Sequence, residues 1–289
     1  MIPFGRDFYK MSGSGNDFVF VDTRDEPAGA LTSPEVILAI CSRGTGIGAD
    51  GIVFLEDSDR ATVRLVYLNA DGSRADLCGN ATLCTARLAR ELGMVGDEEF
   101  TIETDVGVLQ ARFKGDSPEI DLKPVADVRL DAGIGIERGE RRMGFALAGV
   151  PHLVIEVDDL DKVDVVGRGR PLRRHPSLKA GANVNFVYAV GDGSFRYRTY
   201  ERGVEAETLA CGTGAVAAAV LLTDWGLAKG PVQIRTRSGR ELGVRLSGAP
   251  AARVPSLTGE ARVVFRAQFG ELPGVQTDPT RAAAPSSRK

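Results

Sequence analysis

Thr62-Val-Arg-Leu-Val-Tyr-Leu-Asn69, a glycine-containing turn, and then Ala75-Asp-Leu-Cys78-Gly79-Asn80 form the stretch on which the reading of this chain turns. About 133 positions later the pattern returns. Phe195-Arg-Tyr-Arg-Thr-Tyr200-Glu201-Arg202-Gly203 leads to Glu207-Thr-Leu-Ala-Cys211-Gly212-Thr213. Each copy reads as an alternating strand, a turn and a Cys-Gly step. Residues from about 80 to 92 then read as a helix ended by Gly93, and residues from about 213 to 225 as a helix ended by Gly226. Further out, Phe100-Thr-Ile-Glu-Thr, Gly107 and Val108-Leu-Gln-Ala-Arg form a hairpin pattern, matched by Val232-Gln-Ile-Arg-Thr, Gly239 and Leu242-Gly-Val-Arg-Leu. Upstream, Gly15-Asn-Asp-Phe-Val-Phe-Val-Asp22 is echoed by Gly149-Val-Pro-His-Leu-Val-Ile-Glu-Val-Asp158.

The period is too long for a solenoid. It predicts an α+β fold of two homologous, pseudo-symmetric domains, each a strand-rich, barrel-like sheet around a central helix. Ala215 to Leu222 is apolar on every face, which suits a fully buried helix. The first domain is expected over 1–125, carrying Cys78, with its sheet open to completion by the C-terminal strand. The second is expected over 126–270, carrying Cys211. A linker is expected between about 122 and 141, which is rich in Gly, Asp and Arg. The segment 271–289 is Pro-, Ser-, Thr- and Arg-rich with few apolar residues, and is expected to be a disordered tail.

Composition narrows the function classes. The 289 residues are 43% hydrophobic and 26% charged, with a formal net charge of -3, an ordinary globular balance without a basic stripe for nucleic acid. The longest apolar run is far short of a membrane span, and Met1 to Lys10 lacks the apolar core of a secretory signal. A cytoplasmic location is expected, with no nucleic-acid or membrane partner. The four cysteines, Cys41, Cys78, Cys84 and Cys211, include no C-x-x-C pair, and His152 and His175 are the only histidines. Neither a disulfide framework nor a zinc site is expected. Cys41 and Cys84 read as buried small hydrophobes.

Cys78 and Cys211 differ because each sits between a strand and the first turn of a buried helix. The first N–H groups of a helix lack intrahelical partners and form an anion site, aided by the helix dipole. Gly79 and Gly212 let a ligand approach the backbone. A thiol at a helix N-terminus is expected to ionise more easily. Two such ends could hold one carboxylate with a thiol on each face of the adjoining carbon. Inverting that carbon needs a base on one face and an acid on the other, and the reverse reaction exchanges the roles. Two like groups, one thiolate and one thiol, answer that need with coupled ionisation.

An ordered set of segments carries a family resemblance. It comprises Lys10-Met-Ser-Gly-Ser-Gly-Asn-Asp-Phe18, Thr45-Gly-Ile-Gly-Ala-Asp-Gly51, Asn69-Ala-Asp-Gly-Ser73, Cys78-Gly-Asn80, Pro151-His152, Ala182-Asn-Val-Asn-Phe186, Glu201-Arg-Gly203 and Glu207-Thr-Leu-Ala-Cys-Gly-Thr-Gly214. From about Tyr9 to Phe269 the chain closely resembles the diaminopimelate epimerases. The resemblance implies cofactor-independent interconversion of LL- and meso-2,6-diaminopimelate for lysine biosynthesis, by a homodimer using neither pyridoxal phosphate nor metal. It implies Cys78 and Cys211 as the proton donor and acceptor. Gly79, Asn80, Gly212 and Thr213 would hold the reacting carboxylate. Asn16, Asn69, Asn183, Glu201 and Arg202 would contact the substrate, chiefly its distal end, and His152 and Glu201 would adjust the ionisations. The chain departs from the pattern at Val150, where many members have asparagine, and at Gly51, where some have glutamine. Ala81 replaces a common glycine and Leu83 a common arginine, and segment 201–208 is one residue longer than in shorter variants. The alternatives are a racemase of another amino acid on the same fold, a thiol redox protein using Cys78 and Cys211, and a non-catalytic amino acid binding module.

Overall fold

A computed structural model of the chain describes residues 2–3, 5–191, 193–249, 253–271 and 277–278. The expected disordered tail, 271–289, lies outside the described residues except for 271 and 277–278. In chain order the first elements are β1 (Ile2–Pro3), β2 (Asp7–Gly13), β3 (Asn16–Asp22), α1 (Pro34–Cys41), β4 (Gly51–Glu56) and β5 (Val63–Asn69). Then come α2 (Gly79–Glu91), β6 (Phe100–Thr104), β7 (Gly107–Lys114), β8 (Ser117–Asp121), β9 (Ala126–Arg129), β10 (Glu140–Ala148) and β11 (Val150–Val157). They are followed by α3 (Val165–Arg173), β12 (Asn183–Gly191), β13 (Ser194–Glu201), β14 (Ala206–Thr208) and α4 (Gly212–Asp224). The last strands are β15 (Val232–Arg235), β16 (Glu241–Ser247), β17 (Val254–Gly259), β18 (Arg262–Gln268) and β19 (Thr277–Asp278), the last paired with β1.

The chain divides into two compact units, one made of 1–112 with 261–289 and the other of 113–260. In the first, the sheet order is β18-β2-β3-β4-β5-β6-β7. The pairs β3–β4 and β5–β6 are parallel and the others antiparallel. Parallel neighbours need a crossover, which α1 and α2 supply. In the second unit, β9-β10-β11-β12-β13-β15-β16-β17-β8 repeats that logic. Its parallel pairs, β11–β12 and β13–β15, are bridged by α3 and α4. The run β2 to β7 thus recurs as β10 to β13, β15 and β16. This is a pseudo-symmetric, sheet-rich α+β architecture.

Each unit is organised by one buried helix. Helix α2 packs on β2, β5 and β18; α4 packs on β10, β11, β12, β16 and β17. Every residue from Ala215 to Leu222 is buried, as its uniformly apolar face requires. Burying Val216, Val220, Leu221 and Leu222 contributes about 1.5–3 kcal/mol each. Cys41 and Cys84 are buried, and burial pushes the Cys41 thiol up to about 12.

Two expectations need correction. The chain divides at 112/113 where about 125 was expected, while the strand formed by 262–268 completes the N-terminal sheet, as the sequence reading allowed. Nor is 122–141 a linker. It contains β9, and Val125, Ala132 and Ile134 are buried. The isolated apolar residues among its glycines and acids anchor it to the second unit, through Ala132 N–H to Met143 O at 2.9 Å and Val125 N–H to Arg253 O at 3.3 Å.

Candidate active site

In the first unit, β5 and the turn after it deliver Cys78 to the N-cap of α2 in extended conformation, half-buried. Its carbonyl opens the helix by accepting Thr82 N–H at 2.9 Å. Gly79, Asn80 and Ala81 occupy the first helical positions, whose N–H groups have no intrahelical acceptor. Beside them runs a chain of forced amide orientations. The Asp50 carboxylate can only accept, and it takes Asn16 Nδ2–H at 2.9 Å and Asp17 N–H at 3.2 Å. Asn16 Oδ1 therefore faces Asn80, whose Nδ2–H donates to it at 2.7 Å. Asn80 Oδ1 is left buried with no hydrogen-bond partner among the described residues. Such an acceptor costs about 1–3 kcal/mol unpaired and suits a ligand ammonium. Asn69 lies across the ladder from Gly51 and donates to Ser73 Oγ at 3.0 Å. The absence of a side chain at Gly51 has a local cause. A Cβ there would meet Leu68 O and the Tyr67 ring at 2.5 Å.

In the second unit, Cys211 caps α4 in the same extended conformation and is buried. Tyr197, buried in β13, pins that cap. Its hydroxyl donates to Cys211 O at 2.8 Å and accepts Cys211 N–H at 2.8 Å. Thr213 Oγ1 lies 3.6 Å from Cys211 Sγ and 3.1 Å from His152 Nε2. His152 Nδ1 lies 3.2 Å from Asn185 Nδ2. Asn183 Oδ1 accepts the Arg202 N–H at 2.7 Å, and the Arg202 guanidinium donates to Ala180 O at 2.8 Å. Glu201 accepts from the Thr208 hydroxyl. The structure therefore brings Cys78, Gly79, Asn80 and Asn16 together in one unit, and Cys211, Gly212, Thr213, His152 and Glu201 in the other. Asn69 is placed at the strand end across from Gly51, and Asn183 and Arg202 form their own hydrogen-bonded pair.

The expected easy ionisation of a helix-capping thiol does not hold for Cys211. Burial is the largest influence and raises its pKa well above the ordinary thiol value, and the Glu201 carboxylate raises it further. The Thr213 hydroxyl and the Gly214 N–H oppose them without prevailing. Desolvation of a buried charge outweighs the fraction of a charge that a helix end supplies. Burial also holds His152 down to about 3, with the Arg202 cation second, so its imidazole is neutral. Among the described residues, no three or more His, Cys, Asp and Glu side chains converge to share a metal ion.

A family model described as diaminopimelate epimerase matches residues 8–126 and 145–264. The chain belongs to the diaminopimelate epimerase family. It is 52% identical over 279 residues to the diaminopimelate epimerase of Gemmatimonas aurantiaca, covering 93% of this chain and 99% of that one. Its identity to the Aquifex aeolicus diaminopimelate epimerase is 37%, covering 92% of this chain and 98% of that one. Among solved structures, a probable proline racemase from Agrobacterium radiobacter with bound carbonate matches at TM-score 0.68 and 18% identity, covering 95% of each chain. A Bacillus anthracis phenazine biosynthesis protein of the PhzF family matches at TM-score 0.68 and 16% identity, covering 91% of this chain and 98% of that one. These two likenesses speak for the fold alone.

Sequence reasoning passed over Asp50, Tyr197 and Asn185. Asp50 and Asn185 stood in family segments without a role, and Tyr197 in the alternating strand. A signal existed in the helix starts: Gly214 stands in α4 where Ala81 stands in α2, so something other than a methyl group must fill the space beneath α4.

Proposed function

We propose that this chain converts LL-2,6-diaminopimelate to meso-diaminopimelate by two-thiol proton transfer, with no cofactor. The observation that carries the reading is 52% identity to a diaminopimelate epimerase across 93% of the chain, with a cysteine at the N-cap of both buried helices. One cysteine removes the α-proton as thiolate and the other delivers a proton to the opposite face, with the roles exchanged in reverse. Gly79, Asn80, Gly212 and Thr213 take the reacting carboxylate at helix N-termini, where anionic charge is favoured as the enolate-like state develops. Asn80 Oδ1 is the acceptor fitted to the ammonium. Asn16, Asn69, Asn183, Glu201 and Arg202 contact the rest of the substrate, and His152 and Glu201 adjust the ionisations.

Because burial disfavours the Cys211 thiolate, this reading has Cys211 resting as the thiol and ionising in the substrate complex, where the coupled pair shares one charge. The enzyme works in the lysine pathway and is cytoplasmic, homodimeric, and without nucleic-acid or membrane partners. No described helix is long and apolar enough to cross a membrane.

The test is incubation with LL-diaminopimelate in heavy water under reductant, followed by isomer separation. The expected result is meso product carrying deuterium at one α-carbon, lost in Cys78→Ala and Cys211→Ala. Full turnover by either variant would remove that thiol from the mechanism. A preference for an amino acid without a distal carboxylate would replace the substrate while keeping the chemistry.

A further inference from the structure

We infer that Asn185 is a positioning residue: by holding His152 as its Nε2–H tautomer, it commits the Thr213 hydroxyl to donate to Cys211 Sγ. The inference rests on the reading of Cys211 as a proton-transfer group and deepens it.

The orientation of the Asn185 amide is forced. It is fully buried on β12, with its nitrogen 2.8 Å from Leu153 O, a carbonyl that can only accept. Its oxygen accepts the Thr199 hydroxyl at 2.9 Å. A flipped amide would set oxygen against oxygen at Leu153. One amide hydrogen is therefore spent on Leu153 O, and the other points at His152 Nδ1, 3.2 Å away. Nδ1 must accept, so the proton of the neutral imidazole sits on Nε2. Nε2–H then donates to Thr213 Oγ1 at 3.1 Å. With its oxygen engaged, Thr213 has its own hydrogen left for Cys211 Sγ at 3.6 Å, a normal reach for sulfur. In the other tautomer Nε2 would accept, and the Thr213 hydrogen would be drawn from the sulfur to the ring.

Nothing in the fold demands this relay. Ladder registers identify the counterparts in the first unit. His152 pairs with Asn183 as Phe18 pairs with Gly51, and Asn185 pairs with Val154 and Thr199 as Val53 pairs with Phe20 and Tyr67. His152 and Asn185 thus stand where the first unit has Phe18 and Val53. At these two positions the first unit has buried apolar side chains, while the second keeps buried polar groups under Cys211. The space for them is reserved by Gly214, where a Cβ would lie 2.4 Å from Asn185 Oδ1.

The tautomer can be read directly, since His152 and His175 are the only histidines. Full-length protein labelled with 15N-histidine is examined by two-bond 1H–15N correlation from pH 8 to 5, with His175→Gln assigning the peaks. The expected spectrum shows His152 as Nε2–H throughout. Asn185→Val should populate Nδ1–H and lower α-deuteration of diaminopimelate by roughly 10- to 100-fold, the value of a hydrogen bond to a charged group. Its pH profile should move to the alkaline side, because the Cys211 thiolate loses a donor while Glu201 and Tyr197 still face it and Arg202 still faces His152. Thr213→Val should reproduce that shift and Thr213→Ser should not. An Nδ1–H ring in active wild-type protein overturns the inference, even if Asn185→Val fails to fold, and so does an Asn185→Val profile identical to wild type. Wild-type protein that does not exchange the α-hydrogen defeats the functional reading instead, with the tautomer measured independently.

Discussion

Gly214→Ala should destabilise the second unit through Asn185, and the size of the effect follows from the packing. Gly214 is the third residue of α4 and has ordinary helical geometry, so alanine by itself improves helix propensity by up to about 1 kcal/mol. The added Cβ, however, would lie 2.4 Å from Asn185 Oδ1 and 3.3 Å from both Asn185 Cγ and Tyr197 Oη. Real contacts of this kind essentially never fall under 3.0 Å, so one partner must give by about 0.6 Å. Asn185 is tied to Leu153 O, His152 Nδ1 and the Thr199 hydroxyl, and Tyr197 to both backbone groups of Cys211. Overpacking costs about 1–3 kcal/mol, and a weakened buried hydrogen bond adds about 1 kcal/mol. The net expectation is a loss of about 1–3 kcal/mol in urea unfolding.

The counterpart helix supplies the control. Ala81 and Val53 hold the positions there that Gly214 and Asn185 hold here, so Asn185→Val should relieve the clash. A double-mutant cycle over Gly214→Ala and Asn185→Val should show favourable coupling of at least about 1 kcal/mol. A neutral Gly214→Ala, or strict additivity in the cycle, would refute the claim that the glycine reserves space for the asparagine.

Three further outcomes follow from the same contacts. Between about pH 6.5 and 5 stability should fall toward acid, with a slope from this group that grows toward about 1.4 kcal/mol per pH unit. In that window the unfolded imidazole takes up a proton that His152, held down to about 3, does not, and His152→Gln should abolish this part of the slope in denaturant titrations at fixed pH. Glu201→Gln removes a carboxylate that raises the Cys211 pKa, so alkylation of Cys211 by iodoacetamide, followed by peptide mass spectrometry, should accelerate at a given pH. Asp50→Leu frees the Asn16 amide to turn, and should raise KM for diaminopimelate by about tenfold with a smaller change in kcat, measured by coupled assay.

The doubled architecture was legible because its markers are local. A strand, a turn, Cys-Gly and a glycine-ended helix leave the same trace in both copies, and an apolar helix with no polar face can only be buried. That a C-terminal strand could complete the first sheet was legible; the boundary at 112/113 was not, since it falls inside β7 with no break in the strand pattern to mark it. The apparent linker misled because its glycines outweigh the few apolar anchors, Val125, Ala132 and Ile134, that hold it. Within the site, residue types were legible and their couplings were not. Asn183 and Asn185 alternate as a solvent-facing strand would, yet both are buried, because the face they share lies under α4 rather than in water.

The two halves are alike in backbone and unlike in chemistry, and the difference has a direction. In the first unit, Asp50 orients Asn16, Asn16 orients Asn80, and the chain ends in a buried acceptor with nothing to receive. In the second, Leu153 O orients Asn185, Asn185 orients His152, and the chain ends in a hydroxyl whose hydrogen is aimed at sulfur. One sequence of forced orientations presents an acceptor and the other a donor. Duplication would have given two equivalent thiols. The replacements that distinguish Phe18 from His152 and Val53 from Asn185 make their surroundings unequal, so that one buried sulfur is given a committed donor that opposes the penalty of its own burial.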